Sequence, residues 1–449
     1  MNKFPFFECD NKELNEAYRL ALACLCANVI PVKAGLLKTE NPCLMAGMHY
    51  DTPWTRDAAI NVYNAMALLS PEVSKNTLMS VCYEKDGKNF IGDQYWDKII
   101  WAIGAYKVYL IEKDKNFLQF AYQVLVNTIS ELEHDEFDLE LGLFRGPAVY
   151  GDGVSAYPKK YRNQNGSAAI LDWTDNSVSR ISIKGHGIPM KVLSTNCVYA
   201  ESYRILGIMS DILGKSSQCW ESKYLKLKDN INRFFWNEKT GKYDYLQGEC
   251  DSQESLGLSF SILFDIADEV KKKTIVKNTY ITKYGIPCVY PCFQPYEQYG
   301  YGRHCGTIWP HIQGFWAKAM LIIEEKEKFE NELFALAKNV VRDRQFAEIY
   351  HPETGEIYGG VQEWEGEYVN WESCHYQTWS ATAYLNMILE GIIGLKFEGE
   401  FLVKPYLPHG INYAKLLNLH FNRKRIDIEI FRDEKEQIKT NIVYSNKYE

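Results

Sequence analysis

The sequence predicts an all-α protein whose helices form an (α/α)6 toroid, followed by a small C-terminal appendage of β-strands. Three observations predict this fold class. Apolar residues recur with helical periodicity from about residue 10 to about residue 393. Short turns such as LLSPEV and EKDKN alternate with long segments rich in Gly, Pro, Trp and Tyr. After about residue 395, short segments alternate apolar and polar residues with a period of two, which is typical of strands.

The helical segments come in pairs joined by short turns, and such turns make neighbouring helices antiparallel. About twelve helices are expected, near residues 10–29, 57–69, 72–83, 96–112, 114–133, 194–213, 216–236, 254–264, 266–278, 306–324, 326–342 and 377–393. Six such hairpins close into a ring with the short turns at one end and the long segments at the other. An open helical array is the alternative, although no fixed-period repeat supports it.

The change of pattern near residue 395 predicts two domains. Residues 1–395 are expected to form the helical barrel and to carry the catalytic site. Residues 396–449 are expected to form a small β-sheet, with strands in EFLVKPYLP, KLLNLHF, KRIDIEIF and IKTNIVYS.

Charge and composition exclude several classes of partner and cofactor. The chain has 449 residues with 50 basic and 58 acidic side chains, and no basic run, so nucleic acid and anionic membranes are not expected as partners. The first residues, MNKFPFFECD, contain no apolar signal segment, and no run approaches the roughly 18 apolar residues of a membrane span. Twelve scattered Cys favour free thiols and a cytoplasmic location. No metal or nucleotide motif is present, so no cofactor is expected, and the oligomeric state stays open.

Seven tryptophans lie beside Gly, Pro or acidic residues rather than in apolar helical stripes, namely Trp54, Trp96, Trp173, Trp309, Trp364, Trp371 and Trp379. Aromatic rings bordered by polar groups suit the apolar faces of sugars. We therefore expect these tryptophans to include substrate-binding residues. Tyr157 and His311, which lie in similar segments, are also expected to contact the substrate, although a core position is the alternative for His311.

The stretch RGPAVYGDGVSAYP places one carboxylate, Asp152, in a stiff and aromatic loop. Burial in such a loop raises the pKa of a carboxyl group, because desolvation penalises the charged form. Asp152 is therefore predicted to be a general acid that titrates above Glu348, and Glu348, in AEIYHPETGEIYGG, is predicted to be the base. An Asx turn before Gly153 is the alternative role for Asp152.

The first long segment contains YDTPWTRDAA, with Arg56 and Asp57 next to Trp54. An Arg-Asp pair beside a Trp can clamp sugar hydroxyls, and helix capping is the alternative role for Asp57. In IGDQYWDKIIW, capping is the expected role of Asp93 and Asp97.

Together these segments resemble the six-hairpin glycosidases, in particular the inverting α-glucosidases of glycoside hydrolase family 63. EIYHPETG followed by WSAT resembles the family's base segment and the helix start after it, which makes Glu348 the base. GTIWPHIQGFWAKAM resembles another helix start of these enzymes. The family's Glu-Ser-Gly sequence before the acid is replaced here by VYGDG, and the spacer before WSAT is long and carries extra Trp and Glu.

Two further resemblances concern other six-hairpin enzymes. WTRDAA is similar to the glucoamylase segment whose Arg and Asp hold substrate hydroxyls, which makes Arg56 and Asp57 binding residues. KPYLPHGINYAKLLNLHF is similar to the β-domain that closes rhamnosidases and maltose phosphorylases. Because the helices are expected to begin near residue 10, the large N-terminal β-sandwich of many relatives is not expected in this sequence.

The sequence therefore predicts an inverting glycoside hydrolase that acts on an α-linked glucoside or a related oligosaccharide. An inverting pair of carboxyl groups lies about 6.5–9.5 Å apart, which leaves room for the attacking water. Two alternatives stay open. A sugar epimerase or isomerase would need paired histidines, for which His304 with His375 or His186 are the candidates. A non-catalytic carbohydrate-binding protein would keep the tryptophans and tolerate the loss of either carboxylate.

Overall fold

The computed structural model describes residues 4–161, 166–172, 188–422 and 424–446. Fourteen α-helices lie in this part of the chain: α1 (Lys12–Ala27), α2 (Thr55–Asn61), α3 (Ala67–Leu69), α4 (Pro71–Ser80), α5 (Trp101–Glu112), α6 (Lys115–Glu136), α7 (Leu193–Ile212), α8 (Gln218–Phe235), α9 (Ser255–Leu263), α10 (Glu269–Asn278), α11 (Tyr296–Tyr299), α12 (Pro310–Ile322), α13 (Lys326–Asp343) and α14 (Thr378–Asn386). A π-helical turn joins α2 to α3, and another extends α14 from Met387 to Ile392. Each helix that the periodicity predicts is present.

The burial of the helices divides them into two sets. In α9, every residue from Ser255 to Ile262 is buried, and nearly all of α5 and α12 is buried as well. In α8, only Leu227, Ile231 and Phe235 are buried, which is one apolar stripe at a spacing of four residues. A helix that is buried all round lies inside the molecule, whereas a helix with one stripe lies at its surface.

The inner helices contact one another in a closed order. Helix α2 packs on α5, α5 on α7, α7 on α9, α9 on α12, and α12 on α14. Helix α14 then packs on α2, so the succession of contacts returns to its first member. The outer helices α4, α6, α8 and α13 each pack on the inner helix next to them in the chain, and α1 packs on α13 and α14.

Eighteen strands accompany the helices: β1 (Phe6–Cys9), β2 (Val29–Val32), β3 (Asn41–Leu44), β4 (Cys82–Lys85), β5 (Lys88–Ile91), β6 (Phe137–Asp138), β7 (Leu143–Phe144), β8 (Trp236–Asn237), β9 (Lys242–Tyr243), β10 (Gln253–Glu254), β11 (Val289–Tyr290), β12 (Val361–Trp364), β13 (Glu367–Asn370), β14 (Leu395–Lys396), β15 (Leu402–Val403), β16 (Tyr413–Phe421), β17 (Lys424–Arg432) and β18 (Ile438–Asn446). Most form two-stranded antiparallel pairs between helices. The all-α prediction is therefore too narrow, because the long segments contain strands of their own.

The largest sheet joins the two ends of the described chain. Its strand order is β1-β16-β17-β18, with Phe7 opposite Leu416. Phe7 also packs on Tyr18 of α1, with ring centroids 5.3 Å apart, so the sheet and the helices share one hydrophobic core. Strand β1 was not predicted, because its partner lies some 400 residues further along the chain and only pairing makes it a strand. The predicted division at residue 395 stays a prediction.

No helix in the described part of the chain is both long and apolar enough to cross a membrane. Among the same residues, no group of three His, Cys, Asp or Glu side chains is placed to hold a metal ion.

Candidate active site

A cavity of about 480 Å³ lies where the long segments meet the N-terminal ends of α2, α12 and α14. Most of the predicted site residues line it, namely Trp54, Arg56, Asp57, Asp152, Trp309, Glu348, Trp364, Trp371 and Trp379. These residues come from segments far apart in the sequence. Their convergence follows from the closed order of the helices, which brings the segments before α2, α12 and α14 to one end.

Three predicted substrate-binding residues do not line the cavity. Trp96 is fully buried and its Nε1 donates to the carbonyl of Ala148 at 3.0 Å. The Tyr157 hydroxyl donates to the carbonyl of Gly151 at 2.5 Å and accepts from the Ala148 amide at 2.9 Å. Both side chains therefore brace the loop that carries Asp152 instead of facing a ligand.

His311, the third of these residues, is buried behind the cavity wall and stacks on Trp379 at 4.2 Å between ring centroids. Neither ring nitrogen has a hydrogen-bond partner among the described residues, and burial lowers the pKa of His311 well below its usual value. It is a neutral core histidine in this structure. Trp173, another predicted aromatic residue, lies outside the described residues.

Asp152 faces the cavity with its side chain 37% exposed and contacts Arg56 and His304, of which Arg56 is the cation, because burial lowers the pKa of His304. Arg56 Nη2 lies 3.1 Å from Oδ2, and His304 Nε2 lies 3.1 Å from Oδ1. Burial favours the neutral carboxyl, but attraction to Arg56 and the hydrogen bond from His304 outweigh it and hold the pKa of Asp152 below its usual value. The prediction of a raised pKa is therefore wrong, since the loop composition shows burial but not the partners that come from distant segments.

Arg56 connects the loop of Asp152 to the segment before α5. Its Nη1 donates to Asp97 Oδ2 at 3.0 Å and to the carbonyl of Val149 at 2.7 Å. Asp97 does not cap a helix with its side chain, contrary to the prediction, and instead orients Arg56. Asp93 is not the N-cap residue of the helix that follows it; its Oδ2 instead accepts from the amide of Thr55 at the start of α2.

Asp57 lies in the first turn of α2, is only 6% exposed, and accepts from Gln377 Nε2 at 3.2 Å. The N-cap residue of α2 is Trp54, so the capping role is not the one that Asp57 has. Burial, together with the nearby charge of Glu348, raises the pKa of Asp57 to about 7 although Arg56 opposes this. Asp57 is therefore a carboxyl group that holds a proton near neutral pH.

Glu348 is 3% exposed and lies on the cavity wall. Its Oε2 accepts from Arg303 Nη2 at 2.5 Å and from the amide of Cys374 at 3.1 Å. Arg303 is itself fixed by the carbonyls of Gly359 and Glu372, each 3.0 Å from Nη1. These contacts leave Oε1 of Glu348 as the oxygen without a hydrogen bond among the described residues.

Several residues that line the cavity were not predicted as catalytic or substrate-binding residues of a hydrolase, including Tyr50, Gln94, Arg303, His304 and Gln362. Tyr50 is the first residue of the quoted segment YDTPWTRDAA, and Arg303 and His304 lie just before GTIWPHIQGFWAKAM, so the sequence contained a signal for all three. Gln362 lies in the long spacer, where nothing in the sequence distinguishes it.

The paired histidines that an isomerase needs do not meet at this cavity within the described residues. His304 lines it and stacks on Trp309, with ring centroids 5.0 Å apart. His375 is exposed and contacts Gln345 instead. His186 lies outside the described residues.

Three buried polar atoms of cavity-lining residues have no hydrogen-bond partner among the described residues: Arg56 Nε, Gln362 Oε1 and Trp379 Nε1. Such atoms are rare in folded proteins, because leaving a buried donor or acceptor unpaired costs free energy. Two donors and one acceptor beside aromatic rings match a ligand with several hydroxyl groups and apolar ring faces.

The family model described as the mannosylglycerate hydrolase MGH1-like glycoside hydrolase domain matches residues 97–380. The match covers more than half of the chain, so the chain belongs to this family and contains a glycoside hydrolase domain. A search of curated protein sequences gave no match.

Solved structures support the same class. A sialidase matches with a TM-score of 0.74 at 14% identity, covering 98% of this chain and 40% of its own. A GH78 family rhamnosidase of a Bacillus species matches with a TM-score of 0.65 at 13% identity, covering 98% of this chain and 41% of its own. The GH63 mannosylglycerate hydrolase from Thermus thermophilus, in complex with glucose, matches with a TM-score of 0.60 at 14% identity, covering 83% of this chain and 99% of its own.

The chain spans about two fifths of the length of the first two of these structures. At such identities the similarity shows a shared fold. Together with the family match, it confirms the resemblance to six-hairpin glycosidases related to glycoside hydrolase family 63.

Proposed function

We propose that the chain is an inverting glycoside hydrolase that cleaves an α-linked glucoside or a related oligosaccharide. The observation that carries the proposal is the meeting of Asp152 and Glu348 in one cavity beside unpaired buried polar atoms and tryptophan rings. Two carboxyl groups in different environments are what acid and base catalysis of glycoside hydrolysis needs.

We also propose that the scaffold is an (α/α)6 toroid, with α2, α5, α7, α9, α12 and α14 as the inner ring. The closed order of their contacts supports this assignment, as do the six-hairpin relatives. In such a ring the loops at one end form the walls of a pocket, and the described cavity lies at that end.

In the proposed reaction, Asp152 gives a proton to the glycosidic oxygen while the bond from that oxygen to the anomeric carbon breaks. The charge of Arg56 and the hydrogen bond from His304 favour the ionised form of Asp152, so Asp152 takes a proton from solvent before cleavage, and a substrate that covers the carboxyl group favours the protonated form by removing water from it. Oε1 of Glu348 accepts a proton from water, and the water oxygen attacks the anomeric carbon from the opposite face. One displacement then inverts that carbon.

A second candidate for the acid is Asp57, because its pKa of about 7 keeps a proton available near neutral pH. We assign Asp57 to substrate binding instead, together with Arg56. The amide of Gln377 holds one oxygen of Asp57 from behind, and the carboxyl group at the start of α2 can bond sugar hydroxyls. Substitution of each carboxyl group, described in the Discussion, separates the two assignments.

The proposal is tested by incubating the purified chain with α-linked disaccharides of glucose, mannose and rhamnose, and with the corresponding aryl glycosides, and measuring released reducing sugar. Hydrolysis of at least one neutral substrate is expected, and Glu348→Gln is the matched inactive control because it keeps the size of the side chain. The proposal is contradicted if Glu348→Gln releases as much reducing sugar as the unsubstituted chain does. It is also contradicted if the chain interconverts free sugars without hydrolysing any substrate.

A further inference from the structure

The hairpin formed by β12 and β13 occupies the long spacer that departs from the pattern of family 63. Val361 lies opposite Asn370 and Trp364 opposite Glu367 in its antiparallel pairing. Its first strand is anchored beside the catalytic residues, because the amide of Arg303 donates to the carbonyl of Val361 at 2.9 Å. The hairpin therefore holds a fixed position relative to the cavity.

One face of β12 is turned to the cavity. Gln362 and Trp364 are two residues apart, so their side chains leave the strand on the same side, and both line the cavity. Gln362 is 6% exposed, whereas Trp364 is 49% exposed at the cavity mouth. The ring of Trp371, which is 36% exposed, lies 5.7 Å from that of Trp364 between centroids.

This face of the hairpin adjoins the loop of the proposed acid. A β-carbon added to Gly153, next to Asp152, would lie 2.6 Å from Gln362 Oε1. At the tip of the hairpin, a β-carbon added to Gly166 would lie 2.2 Å from the amide nitrogen of Gly366. The acid loop, residues 166–172 and the hairpin thus adjoin one another at the cavity.

We infer that Gln362, Trp364 and Trp371 form the subsite for the leaving group, and that this leaving group is a neutral sugar ring. The inference rests on the proposed function, since the leaving oxygen takes its proton from Asp152 and the leaving group must therefore lie beside the acid. The paired indole rings offer flat apolar surface to a sugar face. The unpaired Oε1 of Gln362 accepts a hydrogen bond from a sugar hydroxyl.

The same residues disfavour an acidic leaving group such as glycerate. A carboxylate offers no proton to Gln362 Oε1, and it offers little apolar surface to the indole rings. The carboxylate of Asp172, which also lines the cavity, repels a negative charge there. The hairpin therefore selects the part of the substrate that leaves, and the residues deeper in the cavity select the sugar whose bond is broken.

The test compares glycosyl fluorides, whose leaving group is a single atom, with disaccharides of the same sugar. The substrates are α-D-glucosyl fluoride with maltose, nigerose and kojibiose, and α-D-mannosyl fluoride with α-linked mannobiose and mannosylglycerate. For Trp364→Ala and Trp371→Ala, kcat/KM is expected to fall about tenfold more for the disaccharide than for the fluoride, since contact area with the leaving sugar is lost. Trp364→Phe restores part of the loss, because it keeps a flat ring.

Tyr444→Ala is the control, since Tyr444 is a similarly exposed aromatic residue on β18 of the C-terminal sheet. It should not change the ratio of the two rates. An equal fall for fluoride and disaccharide, no fall, or faster hydrolysis of mannosylglycerate than of mannobiose overturns the inference. If the unsubstituted chain hydrolyses a fluoride, the proposed glycoside hydrolysis stands. The ratio of kcat/KM for the disaccharide to kcat/KM for the fluoride then tests the leaving-group subsite alone. If neither substrate class reacts, the proposed function and the inference fall together.

Discussion

At the scale of residues, Asp152 and Asp57 share one cavity but have different neighbours. Asp152 contacts Arg56 and His304, whereas Asp57 accepts a hydrogen bond from the neutral amide of Gln377. The charge of Arg56 and the hydrogen bond from His304 lower the pKa of Asp152, and burial raises the pKa of Asp57 to about 7. The ionisation states of the two carboxyl groups therefore follow from contacts across segments rather than from the composition of either loop.

If Asp152 is the acid, the effect of its replacement on the rate of hydrolysis must depend on the leaving group. Asp152→Asn is expected to slow hydrolysis of substrates with poor leaving groups by about 10²–10⁴, and of activated aryl glycosides or fluorides much less, because good leaving groups need little protonation. Asp57→Asn should slow both kinds of substrate to a similar degree, as expected for a residue that holds the cleaved sugar. Steady-state kinetics over a series of aryl leaving groups gives the comparison, and the reverse pattern would assign the acid to Asp57.

The raised pKa of Asp57 also predicts how stability changes with pH. The folded-state pKa of about 7 lies above the unfolded value of about 3.9, so this group's contribution to stability is complete below about pH 4 and is lost as pH rises through 7. Asp57→Asn has no carboxyl group at this position, so it avoids this loss of stability. The substitution should therefore raise the free energy of unfolding more at pH 8 than at pH 4.5, by about 4 kcal/mol at most. Urea unfolding at the two pH values measures the change in the free energy of unfolding that the substitution causes. A change that is the same at both pH values contradicts the raised pKa of the buried Asp57.

At the scale of elements, the inner helices approach one another closely at glycines. A β-carbon added to Gly314 of α12 would lie 2.7 Å from that of Ala383 in α14. A β-carbon added to Gly104 of α5 would lie 3.0 Å from the carbonyl oxygen of Ala59 in α2. Because α2, α12 and α14 carry cavity residues at their N-terminal ends, close packing of these helices also fixes the positions of those residues.

Two glycine substitutions test this packing and should have opposite signs. Gly314→Ala is expected to destabilise the chain by about 1–3 kcal/mol, since neighbouring helices must move apart. Gly207→Ala in α7 should stabilise it by about 0.5–1 kcal/mol, since the nearest atoms lie at 3.8 Å and alanine favours the helix. Thermal unfolding of both variants gives the comparison, and destabilisation by both, or by neither, would show that the contact at Gly314 does not limit the packing.

Periodicity was sufficient to predict the long helices and the C-terminal strands, because each buries an apolar stripe or face that is visible locally. It was insufficient for β1 and for the β12–β13 hairpin, whose residues become strands by pairing. No strand was predicted between the helices expected at 326–342 and 377–393, yet this segment contains the hairpin that borders the cavity. The loops rich in Trp and Gly line the cavity, as expected. The strands inside these loops were not predicted.

At the scale of the whole molecule, the cavity combines segments from residue 50 to residue 379. The sequence could show which segments carry aromatic and acidic residues, because these stand out against apolar helical patterns. It could not show on which side of a segment a ring points, so Trp96 and Tyr157, which brace the acid loop, were taken for binding residues. Likewise, Arg303 and Gln362 enter the site only through the way the chain folds back on itself.

The stereochemistry of the product decides between inversion and retention, since inversion requires Asp152 and Glu348 to act from opposite faces of one substrate. Proton NMR, recorded during the first minutes of hydrolysis of an α-linked substrate, identifies the anomer that forms before mutarotation. The proposed mechanism predicts that the β-anomer appears first and that Glu348→Gln abolishes its appearance. Initial formation of the α-anomer would show retention and would contradict both the single displacement and the role of Glu348 as the base that activates water.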